Sequence, residues 1–266
     1  LIDGPESAEL IYERLYSLYA HNRREGIYYL ALCDLPAEQS REVYSDRAAL
    51  SSLEEAIKRL NKELGGSFCA IVRKREYQKT QDEYMGRERK RGAILEAAGY
   101  LKSGTGDFYF SSGEISELVG IKYILAVDID TEPYLGSVDE LLGIILHPAN
   151  SPVIKDGRVI KGFGILAPRL VTRLKDSILG AFSMAKGGIG SVSGYDMESS
   201  DFWQEVFGRA SFCGKGLISV DALIACTSWL PEDRILSHDI LEGELTGCAY
   251  AGGTIFTEGF PGSPSS

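Results

Sequence analysis

Two aspartates stand one residue apart directly after an apolar run, and this pair could bind a metal ion. The run 121–127 is almost entirely apolar and favours a β-strand, as in a central strand buried on both faces. Asp128 and Asp130 follow it, and because side chains alternate along a strand, we expect both carboxylates on the same side. Two such oxygen donors can hold Mg²⁺ or Mn²⁺ while substrate phosphates complete the coordination. Taken alone, the pair is also consistent with an acidic turn that closes a strand.

A second acidic position that could do chemistry lies in the run 230–243. Ser237 can cap a helix there, which places His238 and Asp239 in the first helical turn. A carboxylate near a helix N-terminus stays ionised, and this suits a general base that works at neutral pH. Helix capping by itself would also explain His238 and Asp239.

The first half of the chain offers an aspartate and a cluster of cations. Asp34 ends the apolar run 27–34, and α/β folds place ligand contacts at the carboxyl ends of strands. A turn before Pro36 explains Asp34 equally well. Cations then precede a helix pattern, where they suit either a diphosphate or a solvated helix start. These cations are Arg75, Lys79, Arg87, Arg89, Lys90 and Arg91.

The elements that must position these residues follow from apolar periodicity and from Gly and Pro. Strand followed by helix and strand predicts an α/β fold with a parallel sheet. Strands are predicted over 27–34, 67–74, 121–127 and 159–171, the last interrupted at Pro168. Helices are predicted over 7–22, from Ser51 or Ser52 to Leu64, and over 92–102, 137–146 and 199–207. The run 210–223 is predicted to be a glycine-punctuated turn that opens a helix through Trp229. The run 187–194 is predicted to be a loop, because its glycines do not follow a strand as in a dinucleotide-binding fingerprint.

Composition limits the class of protein. The 266 residues can bury a sizeable core, and 44% hydrophobic with 25% charged residues is a normal globular balance. The net charge of −10 argues against a nucleic-acid-binding protein. The five cysteines include no CxxC pair, which predicts reduced thiols in a cytoplasmic domain. No membrane-spanning run or signal peptide is found, and the ends at Leu1 and GFPGSPSS predict a piece of a longer protein.

Eight segments together resemble a known family, and they occur in the expected order over nearly the whole length. They are LALCDLP (30–36), MGRERKRGAILE (85–96), LAVDIDTEP (125–133), HPANSP (147–152), GFGILAPRL (162–170), FGRASFCGKGLISVDAL (207–223), LPEDRILSHDILEG (230–243) and EGFP (258–261). The set resembles the glycosyltransferase module of cyclic β-1,2-glucan synthases, large proteins that also carry a glycoside-phosphorylase-like module.

The resemblance implies a GT-A fold with a mixed, mainly parallel central sheet flanked by helices. It implies one domain over 1–266, with a nucleotide-sugar-binding half, 1–135, and an acceptor and catalytic-base half, 136–266. The implied reaction is an inverting, metal-dependent transfer of glucose from UDP-glucose to a β-1,2-glucan acceptor. Other modules of the parent chain are implied partners, and attachment of the parent protein to the inner membrane is left open.

Matched position by position, the resemblance also implies roles for individual residues. Asp34 contacts the uridine end of the donor, Lys90, Arg91 and Gly92 lie near its diphosphate, and Asp128 contacts donor and metal. Asp130 is the second metal ligand, the metal being Mg²⁺ or Mn²⁺. Cys213, Gly214 and Lys215 border the acceptor, and Asp239 is the catalytic base.

The C-terminal segment departs from the family pattern. Gly259 stands where a D-F-P-S-R-Y element has its aspartate, and the R-W motif that should follow is not in this sequence. We therefore expect the isolated chain to bind donor but to transfer sugar poorly. Two other functions share these motifs: a non-catalytic GT-A-like module that binds glucan or a partner domain, and a metal-dependent nucleotidyl- or phosphotransferase.

Overall fold

The computed structural model describes residues 1–173, 201–231 and 239–259. These residues divide into two compact units. The first unit is Leu1–Lys122 with Leu230 and Pro231, and the second comprises the described residues between Tyr123 and Trp229 and those from Asp239 onward. The predictions for 187–194, Ser237, His238 and the run after Gly259 lie outside the described residues.

The first unit contains a small sheet covered by helices. Its middle strand is β2, which pairs in parallel with β1 and antiparallel with β5, while β3 and β4 form a separate hairpin. The elements are α1 (Pro5–Asn22), β1 (Tyr29–Cys33), α2 (Asp46–Leu64), β2 (Phe68–Val72), β3 (Glu76–Gln78), β4 (Glu83–Met85), α3 (Arg89–Ser103), β5 (Phe110–Ser112) and a 3₁₀ turn (Ile115–Leu118).

The core of the first unit follows from the alternation of side chains along its strands. Alternate residues of β1 and β2, such as Ala31 and Ala70, pack with the apolar positions of α1 and α2. The predicted strands 27–34 and 67–74 are therefore confirmed.

Helix α2 begins earlier than predicted, at Asp46, whose Oδ2 accepts a hydrogen bond from the Val43 amide. It ends as predicted at Leu64 and is followed by the C-cap Gly65, which has a φ of 85°.

The second unit is built on a five-stranded sheet with the order β6-β11-β10-β12-β7. Strands β10 and β12 are parallel, and the other neighbours are antiparallel. Strands β8 and β9 form a separate hairpin. The elements are β6 (Tyr123–Ala126), β7 (Glu132–Pro133), α4 (Ser137–Ile145), a 3₁₀ turn (Pro148–Asn150), β8 (Val153–Lys155), β9 (Arg158–Lys161), β10 (Ile165–Thr172), α5 (Phe202–Phe207), β11 (Gly216–Ser219), α6 (Val220–Thr227), α7 (Asp239–Thr246) and β12 (Cys248–Glu258).

The strand before the two aspartates differs from its prediction. In the part of the chain that the structure describes, β6 lies at the edge of its sheet and pairs only with β11. Residues Tyr123–Leu125 are half-buried, and Tyr123 and Leu125 pack on the core of the second unit. The prediction of a central strand buried on both faces is therefore wrong, because an uninterrupted apolar run does not distinguish a central from an edge strand.

The mixed α/β class is confirmed, but the sheets are not mainly parallel. Among the described strands, only β1 with β2 and β10 with β12 are parallel pairs. Strand β10 continues through Pro168, with a register shift against β12 between Pro168 and Arg169. Within the described ranges, no helix combines the length and apolar character needed to cross a membrane.

Candidate functional site

The carboxylate of Asp128 lies in a cluster of charged side chains at the ends of three strands. The antiparallel pairing of Ala126 with Gly216 brings the residues after β6 beside Lys215, and Asp128 Oδ2 lies 3.2 Å from Lys215 Nζ. Glu258, at the end of β12, forms an ion pair with the same ammonium. We call Asp128, Lys215 and Glu258 the Lys215 cluster.

The Lys215 cluster is partly buried. The side chains of Lys215 and Glu258 are 15% and 7% exposed, whereas Asp128 is 39% exposed. Burial lowers the pKa of Lys215, but the hydrogen bond to Glu258 and the negative charges of Glu258 and Asp128 outweigh it, so the pKa is raised. The hydroxyl of Thr131 donates a 3.1 Å hydrogen bond to Glu258. Lys215 is therefore a charged ammonium that two carboxylates hold at neutral pH.

Asp130 lies in a turn rather than on a strand. Strand β6 ends at Ala126, and the Thr131 amide donates to the Asp128 carbonyl at 3.1 Å. The alternation that was expected to place Asp128 and Asp130 on one side therefore does not apply, because it holds only along a strand. Asp130 is exposed, and its backbone carbonyl accepts a hydrogen bond from Arg173.

The residues present fit a divalent cation only if a substrate supplies further ligands. Among the residues that the structure describes, no three His, Cys, Asp or Glu side chains are grouped closely enough to hold a metal ion. Asp128 and Glu258 nevertheless converge on one cation, the ammonium of Lys215. Mg²⁺ is typically bound by one or two carboxylates together with substrate phosphates, and Asp128 is the member of the predicted pair that already faces a cation.

The proposed acceptor segment contacts the proposed base. Gly214 has a φ of +77°, and a Cβ added to it would lie 3.0 Å from Oδ2 of Asp239. Asp239 lies in the first turn of α7, and Gly243 of this helix packs closely on Phe212. Residues 212–215 thus link Asp239 to the Lys215 cluster within the second unit. The side chain of Cys213 is exposed.

Asp34, in the first unit, binds a residue that the sequence analysis missed. Arg73 is 1% exposed, and its Nε and Nη2 donate to Oδ1 and Oδ2 of Asp34, each at 2.7 Å. Its Nη1 also lies 3.3 Å from Glu96. Arg73 and Asp34 each follow a strand, and the parallel register pairs Cys33 with Val72 directly before them. That shared position is the signal that could have identified Arg73.

Arg73 also holds the backbone that precedes α3. Its guanidinium donates to the carbonyls of Arg87 at 2.8 Å and Arg89 at 2.9 Å. Glu88 and Arg89 have φ values of 51° and 49°, a strained conformation for residues other than glycine. We call Arg73 with its bonds to Asp34, Glu96 and these two carbonyls the Arg73 network.

The predicted diphosphate residues lie at the start of α3. The side chain of Arg91 is 4% exposed and forms an ion pair with Glu88, so its charge is directed into the unit. A Cβ added to Gly92 would overlap the carbonyl oxygen of Arg87, and Lys90 is half-buried. Beside this segment is an open groove of about 310 Å³, lined in part by Lys74, Arg87, Glu96, Tyr100 and Phe108.

The basic run 75–92 is not simply a solvated helix start. Arg75, like Arg91, is buried, and its guanidinium donates to Asp46 at 2.6 and 2.9 Å. Its Nε donates to the Pro36 carbonyl at 2.6 Å. Arg75 therefore ties the beginning of α2 to the segment after β2.

Comparison with known proteins identifies a much longer relative. No family model matches the chain. The chain is 32% identical, over 255 residues, to cyclic β-(1,2)-glucan synthase NdvB of Rhizobium meliloti (strain 1021). This confirms the resemblance to a module of that synthase. The alignment includes 91% of this chain, which spans only 9% of the length of the relative.

Proposed function

We propose that this chain is a glucosyltransferase module with a GT-A fold that transfers glucose from UDP-glucose to a β-1,2-glucan and inverts the anomeric carbon. The observation that carries this proposal is that residues 212–215 connect the Lys215 cluster to Asp239. Lys215 pairs with Asp128, a carboxylate suited to a cation, and the adjacent Gly214 lies against Asp239, a carboxylate suited to a proton. The similarity to a glucan synthase supports glucose as the transferred sugar.

In the proposed reaction, a hydroxyl of the acceptor glucan attacks the anomeric carbon of the donor. The new carbon–oxygen bond forms as the bond to the diphosphate breaks, the hydroxyl proton passes to Asp239, and UDP leaves. Attack opposite the leaving group inverts the centre in one step. Gly214 favours this role of Asp239, because any side chain there would crowd the carboxylate.

The donor is proposed to need a divalent cation held by Asp128 and Asp130. When bound, Mg²⁺ or Mn²⁺ would neutralise charge on the leaving diphosphate. Asp34 and Lys90–Gly92 are proposed to contact the nucleotide and diphosphate, and the Arg73 network supports this by fixing the backbone between Arg87 and Arg89. The cytoplasmic location, the inner-membrane attachment and the other modules of the parent protein remain predictions.

Calorimetry with UDP, UDP-glucose and ATP, each with and without Mn²⁺, tests this proposal. We expect Mn²⁺ to tighten UDP binding at least about tenfold, which corresponds to about 1.4 kcal/mol. Asp128→Ala or Asp130→Ala should remove this enhancement, whereas Asp139→Ala, at an exposed carboxylate of α4, should keep it. Equal UDP affinity with and without Mn²⁺ in all variants would refute the metal requirement.

The same titrations separate the alternative functions. Preferred binding of ATP with Mn²⁺ would favour a nucleotidyl- or phosphotransferase. If no nucleotide binds but a β-1,2-gluco-oligosaccharide does, the chain is a non-catalytic glucan-binding module.

A further inference from the structure

Lys215 supplies positive charge beside Asp128, where the proposed function requires a divalent cation. Its ammonium lies 3.2 Å from Asp128 Oδ2 and is also paired with Glu258. With a side chain only 15% exposed, Lys215 is not a surface cation that solvent readily screens. Glu258 has no role in the proposed reaction, yet it is the more buried of the two carboxylates.

A divalent cation and this ammonium cannot both be held closely by Asp128 without repelling each other. The repulsion between like charges is stronger in a partly buried position than in water. A metal ion that binds alone must therefore displace Lys215 from Asp128 or accept this repulsion. A nucleoside diphosphate offsets this repulsion, because its negative charge can attract both the metal ion and the ammonium.

We propose that Lys215, held by Glu258, is a built-in counter-ion that competes with a divalent cation for Asp128, so that the cation binds tightly only together with a nucleoside diphosphate. The inference rests on the proposed function and adds an order of binding to it. Glu258 is suited to retain the ammonium when Asp128 is taken, because the Thr131 hydroxyl orients its buried carboxylate.

Competition of this kind has a thermodynamic consequence that can be measured without turnover. If UDP relieves the repulsion, UDP and Mn²⁺ strengthen the binding of each other by the same factor. Removing the positive charge of Lys215 should tighten the binding of Mn²⁺ alone and reduce that factor. Retaining the charge in an arginine should leave the competition in place.

The test is titration of Mn²⁺, with electron paramagnetic resonance measuring free metal, in the presence and absence of UDP. The variants are Lys215→Met, Lys215→Gln and Lys215→Arg, with Lys161→Met as a control at an exposed lysine of β9. We expect Lys215→Met and Lys215→Gln to bind Mn²⁺ alone about tenfold more tightly than the wild type, with a smaller gain from UDP. Lys215→Arg and Lys161→Met should bind Mn²⁺ like the wild type.

Two results would overturn the inference in distinguishable ways. If the wild type binds Mn²⁺ with UDP but neither neutral variant binds Mn²⁺ alone more tightly, the competition is refuted and the proposed function stands. If the wild type binds no Mn²⁺ even with UDP, both the metal requirement and this inference fail. Thermal unfolding shows whether each variant folds. Because two neutral substitutions are made, Mn²⁺ binding can still be compared with the wild type if one of them does not fold.

Discussion

At the residue scale, two of the residues proposed to bind the sugar donor already have charged partners within the chain. The carboxylate of Asp34 accepts two hydrogen bonds from Arg73, and Arg91 is paired with Glu88. Removing one partner of a buried ion pair strongly destabilises the folded protein, because the remaining charge is then buried without compensation. Loss of donor binding in an Asp34 variant would therefore not by itself show contact with uridine.

The role of Asp239 can be separated from donor binding by one substitution. Asp239→Asn keeps the shape of the side chain but cannot take a proton, so glucosyl transfer by the full-length protein should fall by about 10²- to 10⁴-fold. UDP affinity should stay within about threefold, because a base acts on the acceptor hydroxyl. The measurements are initial transfer rates and calorimetric UDP titrations.

Asp139→Asn is the matched control, since Asp139 also lies in the first turn of a helix. It should leave transfer unchanged. Transfer by Asp239→Asn near the wild-type rate would mean that Asp239 acts only at the helix terminus and that another group is the base.

The sequence indicated several residues at strand ends but not their partners. Asp34 and Asp128 could be identified because each directly follows an apolar run. Arg73 lies 39 residues from Asp34, and Glu258 lies 127 residues from Thr131. Such pairs depend on the register between distant strands, which local periodicity does not determine.

At the element scale, the position of α3 depends on close packing at its first turn. The Arg73 network fixes the residues that enter the helix, and Gly92 allows the helix to approach the Arg87 carbonyl. Gly99, in the same helix, has open space where a Cβ would lie. The two glycines therefore offer a controlled comparison within one element.

We expect the same substitution to have opposite effects at the two positions. Gly99→Ala should raise the free energy of unfolding by about 0.5–1 kcal/mol, because alanine favours the helical interior. Gly92→Ala should lower it by about 1–3 kcal/mol, because the added methyl group would overlap the backbone. Urea unfolding followed by circular dichroism measures both. Similar changes in the two variants would show that the close approach at Gly92 is not important.

Elements with local sequence signals were easier to predict than those determined by tertiary contacts. Helix α2 ends as predicted at Leu64, where the following Gly65 readily adopts the positive φ of a C-cap. Its beginning at Asp46 was missed because the contact of Asp46 with Arg75 is not local. Strand β11 lies in a run for which a turn before a helix is predicted, because its first residue is glycine and its strand partners β6 and β10 are distant in the chain.

At the scale of the whole molecule, cysteines in both units act as reporters of local opening. Cys33 and Cys69 are buried in the first unit, Cys226 and Cys248 are buried in the second, and Cys213 is exposed. Burial raises the pKa of Cys33 to about 12 and of Cys69 to about 11. The thiolate is the reactive form, so the buried cysteines are protected at pH 8 by both low access and low ionisation.

The buried ion pair of Asp46 and Arg75 stabilises the first unit, so a substitution that breaks it should affect the thiols of that unit. Burial raises the pKa of Asp46, but hydrogen bonds from Arg75 and the Val43 amide outweigh it and lower the pKa below the ordinary 3.8. The stability from this carboxylate is therefore fully present above the pKa of the unfolded chain and is lost as pH falls through the lower folded value. At pH 8 the pair contributes fully to the first unit.

Asp46→Asn should therefore expose the thiols of the first unit first. Leaving Arg75 buried without its carboxylate costs about 3–5 kcal/mol, and this cost increases the population of opened states in which Cys33 and Cys69 can react. Labelling with an aromatic disulfide at pH 8, located by peptide mass spectrometry, should show rapid reaction of Cys213 in both proteins. In the variant, Cys33 and Cys69 should react faster, whereas Cys226 and Cys248 should keep their wild-type rates. Equal acceleration of all four buried thiols would contradict this prediction, because the effect of the pair would then extend beyond the unit that contains it.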